Sequence, residues 1–449
     1  MKIIIAGAGE VGFHLAKLLS YESQDITLID TNKESLSYAD SHLDIRVLKG
    51  DATSISVLRD AKVEQSNLVI GVTSSETTNI TLCMLAKQLG CERTIARISN
   101  TEFLDNRDVL KFEELGIDEL ISPEELAATE IQLLLNKSAF NDTYEFEDGK
   151  LMMVGVSLPK SAPFVGKMVK EAANIFSEVH FMPIALQRLG TRYTVIPRGD
   201  TVFKEGDQVY FITTAEGVDE LYKLTGKKKE EIKNVMILGG SKVGFKAARD
   251  LCSKRFNVKL IEINKEKAFD LSDDLPNALV INGDGRNVEL LEEESLESMD
   301  AFIAVTGNSE TNIMSCLVAK SKHIKKTIAL VENMDYFQLS HSIGIDTLIN
   351  KKLLAANNIF KYIRKGEVVA LMRINNLNAE ILEFVVKPDS KVTGSVIRKL
   401  NFPKAATIGG VVRNGEGIIA LGGFEIKAGD RVVVCCLPEA IPKIERLFL

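Results

Sequence analysis

The sequence repeats itself. The opening MKIIIAGAGEVGFHLAKLL returns as NVMILGGSKVGFKAARDL from Asn234, and ITLIDTN (26–32) returns as VKLIEIN (258–264). VLKGDAT (47–53) is echoed by VINGDGR (280–286), VTSSETTNI (72–80) by VTGNSETNI (305–313), and GIDELISPEELAATEI (116–131) by GIDTLINKKLLAANNI (344–359). The landmarks keep their order at a near-constant offset of about 230 residues, the mark of a tandem duplication. Whatever one half folds into, the other must fold into as well.

Each copy changes character partway. The first part alternates short β-branched runs with helical patterns; in the first copy the runs are Ile3–Ala6, Ile26–Ile29, Ile45–Leu48, Leu68–Val72 and Thr94–Ile98. Such alternation gives βαβ units, a parallel sheet and helices on both faces. The second part reads as short strands at 144–156, 181–187, 192–196 and 208–213, with helices near 164–176 and 216–224. Gly199-Asp200 and Gly206-Asp207 mark turns there, as Gly422-Gly423 and Gly429-Asp430 do in the second copy. The expected fold is therefore α/β: two Rossmann-like, doubly wound parallel-sheet domains, each followed by a small α+β module. The boundaries read as 1–135, 140–225, 232–365 and 367–449, with the charged stretch 226–231 as a linker between the copies.

Composition narrows the function classes. Apolar residues make up 45 % and charged residues 26 %, enough to fill several cores in a water-exposed chain. The net charge of −7 argues against a nucleic-acid partner, which needs a concentrated basic face. No apolar run reaches the length of about 18 residues that a membrane span requires. The opening Lys2-Ile3-Ile4-Ile5-Ala6 runs straight into a glycine cluster and does not read as a signal peptide. A cytoplasmic chain is expected. The six cysteines form no CxxC pair and no zinc spacing, and read as buried reduced thiols.

Gly7-Ala8-Gly9-Glu10-Val11-Gly12 is a GxGxxG placed directly after an apolar strand and directly before an amphipathic helix. Asp30 closes the next strand about 20 residues on, which completes the context of a dinucleotide fingerprint. Gly7 permits a tight turn, Gly9 lets a pyrophosphate approach the backbone, and Gly12 lets the helix pack on the strand. The helix N-terminus offers unpaired N–H groups and partial positive charge to phosphates. Asp30, flanked by Thr31, can accept hydrogen bonds from a ribose diol and would repel the 2′-phosphate of NADP.

Asp51 with Ala52, Thr73 with Ser74, and Arg97 sit where further parallel strands should end, the edge at which such sheets bind ligands. Asp51 can border an adenine, the Thr73-Ser74 pair can reach phosphates, and Arg97 can hold a phosphate with its fork. The alternatives are a helix N-cap at Asp51 or Thr73 and a surface ion pair at Arg97.

The second copy departs from this pattern. Gly239-Gly240-Ser241-Lys242-Val243-Gly244 puts Ser241 at the middle glycine, where its Cβ crowds a phosphate. Glu262 stands for Asp30, Asp284 for Asp51, and Thr306 keeps its place, but Leu330 replaces Arg97. Lys242 restores some positive charge. This half is a candidate nucleotide site of different selectivity or weaker affinity.

Taken together, IIIAGAGEVGFHLA, TLIDTN, KGDAT, VTSSETTN and the later IPRGDTVFKEGDQVYF resemble the KTN/RCK-type family, and the tandem arrangement resembles its Trk-type potassium-uptake regulatory subunits. The resemblance covers essentially the whole chain. It implies NAD(H), or ATP and ADP, bound in the 1–135 and 232–365 regions. It also implies a homo-oligomer, a tetramer or dimer of dimers, beneath a membrane potassium-translocating partner at the inner face of the cell membrane.

The rival reading is an NAD-dependent oxidoreductase, which needs an acid or base beside the nicotinamide. The histidines are scattered at 14, 42, 180, 323 and 341, and His180 has no visible carboxylate partner. No catalytic residue and no metal site is expected. Regulation fits the sequence better than chemistry.

Overall fold

A computed structural model of the 449-residue chain describes residues 1–20, 24–100, 102–107, 109–136, 142–147, 149–173, 180–191, 193–226, 231–333, 336, 344–363, 368–373 and 377–448. Residues 227–230 of the expected linker and His341 lie outside the described residues.

The first sheet takes β1 (Lys2–Ala6), β2 (Asp25–Asp30), β3 (Arg46–Lys49), β4 (Leu68–Gly71), β5 (Arg93–Arg97) and β6 (Glu119–Ile121) in the order β3-β2-β1-β4-β5-β6. Every pairing is parallel, and this is the doubly wound order of dinucleotide-binding folds. The apolar runs become central strands because both of their faces are covered: Ile3, Ile4, Ile5, Val69 and Ile70 are all buried. The helix α1 (Glu10–Ser20) lays Val11, Leu15, Ala16 and Leu19 on the sheet. Asn32 caps α2 (Lys33–His42), and Ser75 caps the Glu76–Gln88 helix by accepting from Thr78 N. β6 was not among the expected strands; at three residues it is too short to show a period in sequence.

The second parallel sheet repeats the first. It takes β12 (Asn234–Leu238), β13 (Asn257–Glu262), β14 (Ala278–Asn282), β15 (Ala301–Ala304), β16 (Lys326–Leu330) and β17 (Thr347–Ile349), in the order β14-β13-β12-β15-β16-β17.

Two antiparallel sheets account for the remaining strands. In the first, β7 (Asp142–Phe146) and β8 (Leu151–Ser157) form a hairpin where one run was expected over 144–156. Gly149, at φ +83°, makes the reversal that a continuous strand would not allow. β9 (Phe181–Gln187), β10 (Thr194–Val195) and β11 (Gln208–Thr213) complete the order β10-β9-β11-β8-β7, and the Ala215–Leu224 helix follows. Helix 164–176 is observed as Val169–Ala173, and residues 174–176 lie outside the described residues. The second antiparallel sheet has β18 (Val368–Arg373), β19 (Glu380–Val385), β20 (Ala406–Arg413), β21 (Glu416–Ile418) and β22 (Arg431–Cys436).

The two antiparallel sheets share one core, in which Met153, Ile184, Tyr210 and Ile212 meet Ile381, Val412 and Val433. Glycine permits the approach: a Cβ on Gly417 would lie 2.0 Å from the Lys150 carbonyl oxygen, and one on Gly409 2.5 Å from Ile212.

By contacts the chain forms two compact units, residues 1–129 with 350–363, and residues 130–349 with 364–449. The Lys351–Ile363 helix therefore belongs with the first parallel sheet, where it packs on α1 and β6, although in sequence it follows the second. Among the described residues no helix is long and apolar enough to cross a membrane.

Candidate functional site

The carboxyl ends of β1 to β5 bring the first-copy residues to one edge of the first sheet. Gly7 follows β1 at φ +110°, and a Cβ there would lie 2.9 Å from Val72 O and Thr73 N. Gly12 meets the loop from the other side, since a Cβ would lie 1.8 Å from Gly7 O. Val11 and Ala8 are buried against the domain. Gly9 differs from its neighbours: it does not have positive φ, and a Cβ would meet nothing within 4 Å. Neither backbone conformation nor packing requires glycine there. It precedes Glu10, the first residue of α1, and has no side chain with which to cap the helix N–H groups.

Asp30 is half-buried, and its two oxygens are divided between two turns. Oδ2 accepts from Ala8 N at 2.6 Å and so clamps the glycine loop, while Oδ1 accepts from Asn32 N at 2.8 Å. Each oxygen keeps a second lone pair for a ribose hydroxyl. Thr31 beside it is exposed.

Asp51 is exposed just beyond β3 and accepts from Thr53 N and Thr53 Oγ1, both at 2.8 Å. These bonds hold its carboxyl below the usual range. Ala52 is buried in the core with Ile4, Ile29 and Leu58. Ser54, not Asp51, occupies the N-cap of the Ile55–Asp60 helix.

Thr73 is not a helix cap either, since Ser75 holds that position. Its N and Oγ1 donate to Asn79 Oδ1 at 2.9 and 2.7 Å. Ser74 is exposed. Arg97 ends β5 half-buried, with no ion pair among the described residues; its Nε is buried without a hydrogen-bond partner. A buried guanidinium nitrogen left unpaired is costly, and an incoming acceptor would relieve that cost.

Asn79 is a residue that the sequence reading missed. It is 1 % exposed, and its Nδ2 donates to Thr73 O at 3.2 Å and Arg97 O at 2.9 Å, tying the ends of β4 and β5 together. Asn312 does the same in the second copy, reaching Thr306 N, Thr306 O and Leu330 O. The signal lay in the repeat, because VTSSETTNI and VTGNSETNI both end in Asn-Ile.

The second copy assembles its residues at the corresponding edge but fills it with its own groups. Gly239 repeats the positive φ of Gly7 at +103°, and a Cβ on Gly244 would lie 2.0 Å from Gly239 O. Ser241 Oγ accepts from Gly244 N at 3.3 Å and donates to Val305 O at 2.6 Å, so the helix N-terminus is capped from within. Glu262, one methylene longer than Asp30, is buried at 7 % exposure. Its Oε2 accepts from Gly240 N at 2.9 Å and lies 3.5 Å from Lys267 Nζ. Asp284 is paired with Arg286 at 2.7 Å, which together with the Arg286 N–H holds its carboxyl low. Val243 is buried, Lys242 is exposed, and Thr306 keeps the bonds of Thr73.

His180 corrects one expectation. Its Nδ1 lies 2.9 Å from Glu220 Oε1, a carboxylate partner supplied by the Ala215–Leu224 helix. The two residues are too far apart in sequence for the pairing to be read there. Burial pushes the Cys83 and Cys316 thiols up, so neither serves as a nucleophile near neutral pH. Cys91, Cys435 and Cys436 are buried as well, while Cys252 is partly exposed.

Comparisons with known proteins show the family and the fold. The TrkA-N domain family matches residues 3–123 and 235–351, and the TrkA-C domain family matches 153–226 and 381–449. A Trk system potassium uptake protein TrkA homolog of Methanosarcina mazei is 32 % identical, with 100 % of both chains covered. The Trk system potassium uptake protein TrkA of Haemophilus influenzae is 34 % identical over 100 % of this chain and 98 % of its own. In fold, the chain is similar to the GsuK channel bound to NAD, with TM-score 0.62 and 17 % identity, covering 100 % of this chain and 78 % of that one. The GsuK RCK domain gives TM-score 0.61 at 16 % identity, covering 100 % and 94 %. With its domain pairs matched in tandem and its full length shared with these relatives, the chain belongs to the TrkA family of Trk-system potassium uptake proteins.

Proposed function

We propose that this chain is a nucleotide-binding regulatory subunit of a potassium-uptake system, acting at the cytoplasmic face of a separate membrane potassium-translocating protein. The reading takes four modules, 1–135, 140–225, 232–365 and 367–449, the third lending its 351–363 helix to the first, working as a homo-oligomer and as a regulator rather than an enzyme. Its ligand is NAD(H) or ATP/ADP.

The observation that carries the ligand assignment is Gly9. Its glycine serves neither φ nor packing, and it opens the N-terminus of α1 to a phosphate group. Asp30 and the unpartnered Nε of Arg97 suit the ribose and phosphate of the same ligand. The fit is to an adenine nucleotide with a ribose diol. In the second copy the equivalent groups are capped, paired or replaced, so affinity there is weaker.

Gating requires that a ligand bind two conformations unequally. Moving a two-state balance from 1:99 to 99:1 takes about 5.5 kcal/mol of differential binding, which several sites in one oligomer supply together.

Calorimetric titration of the full chain with NADH, NAD, ADP and ATP tests the ligand assignment. Asp30→Ala removes both the ribose acceptor and the clamp on Ala8 N, and is expected to weaken binding about tenfold or more. Unchanged affinity would put the ligand elsewhere.

A further inference from the structure

We propose that Lys352, carried by the second copy of the repeat, is a phosphate-contacting residue of the first copy's nucleotide site, held by Glu10 until a nucleotide phosphate takes Glu10's place. The inference rests on the functional reading above and assigns to that site a residue from the other end of the chain.

Glu10 follows Gly9 directly and is the first residue of α1, so its carboxylate stands beside the N–H groups that a phosphate would use. Lys352 Nζ lies 2.7 Å from Glu10 Oε2. The two side chains differ in freedom: Lys352 is 24 % exposed, Glu10 65 %. The lysine is the fixed partner. Buried Asn350 accepts from Lys352 N at 2.9 Å and Leu353 N at 3.0 Å, which sets the first turn of the helix that carries it. The more exposed glutamate can swing out.

The charge balance of the loop requires an outside cation. Residues 7–12 contain no lysine or arginine, and Glu10 and Asp30 are both acidic. A pyrophosphate adds further negative charge at the same edge of the sheet. Lys352 brings an ammonium onto a side chain of this loop.

The two copies carry these charges in reverse. Lys242 stands where the first copy has Glu10, and in the aligned GIDELISPEELAATEI and GIDTLINKKLLAANNI segments Glu124 stands where the second has Lys352. An ion pair that only joins helices works in either order. A phosphate distinguishes the two orders, because it is drawn by a cation on the anchored helix and tolerates an anion on the loop only if that anion can swing away. The first copy has that order.

The test is calorimetric titration of the full chain with ADP, ATP and NADH, alongside Lys352→Ala, Lys352→Arg and Glu10→Gln, with thermal unfolding of each to establish folding. Lys352→Ala is expected to weaken binding about tenfold, Lys352→Arg to retain most of it, and Glu10→Gln to tighten it about threefold by freeing the lysine and removing a competing charge. The double variant is decisive. In the Glu10→Gln background a lysine that touches the phosphate still makes Lys352→Ala weaken binding severalfold. A lysine that only neutralises Glu10 has no effect there, and that result overturns the inference. Failure of the unaltered chain to bind any of the three nucleotides overturns the nucleotide reading itself, and this inference with it.

Discussion

Gly9→Val is expected to leave thermal unfolding unchanged and to reduce adenine-nucleotide affinity about a hundredfold or more, read by calorimetry and by the melting curve of the same preparation. The added bulk acts on one side only. A Cβ at Gly9 meets no atom beyond its chain neighbours within 4 Å, so the fold leaves room for a side chain there. A ligand seated on the α1 N-terminus would meet that side chain directly and lose the backbone N–H contacts. Gly12→Val makes the contrast, because its Cβ would lie 1.8 Å from Gly7 O and the loop itself must break. A Gly9→Val protein that melts early, or one that binds normally, would contradict this account of the loop.

The second large effect is on stability. Asp207 is 1 % exposed, and burial pushes its carboxyl up against the opposing pull of the Lys204 N–H and the Arg188 guanidinium. Arg188 pairs with it and also donates to Val202 O at 2.9 Å. The second copy builds the same device at its Gly429-Asp430 turn, where Arg413 donates to Asp430 at 2.7 and 2.8 Å. Removing one partner of a buried pair leaves an uncompensated charge. Arg188→Ala is therefore expected to cost about 3 kcal/mol and to lower the melting temperature of the antiparallel modules. Arg188→Lys should recover only part of that, since an ammonium cannot reproduce the planar fork. A melting temperature unchanged in Arg188→Ala would mean that Asp207 is solvated after all.

Much of this was legible because duplication doubles the signal. The strand-glycine-helix pattern at 3–12 and the acid at 30 place themselves by local rules, and the second copy repeats them with its departures marked at Ser241 and Glu262. What stayed hidden was what depends on distant partners. Asn79 looks like an ordinary helix polar residue until the ends of β4 and β5 close around it. The His180–Glu220 contact joins a strand start to a later helix. The turns at 206–207 and 429–430 were visible as turns, but not their buried arginine pairs, because nothing in the local sequence says which arginine arrives. Most hidden was the return of the Lys351–Ile363 helix to the first sheet, which sets Lys352 on Glu10 across most of the chain. A linear reading assigns that helix to its own copy.

The most direct test of the central claim is potassium uptake at low external potassium, compared among cells with this chain, cells without it, and cells in which Gly9→Val replaces it at equal abundance. The account predicts that uptake falls without the chain and that the variant, though folded, fails to restore its regulation. Equal uptake in all three strains would contradict the claim that this chain governs potassium transport through the nucleotide site of its first half.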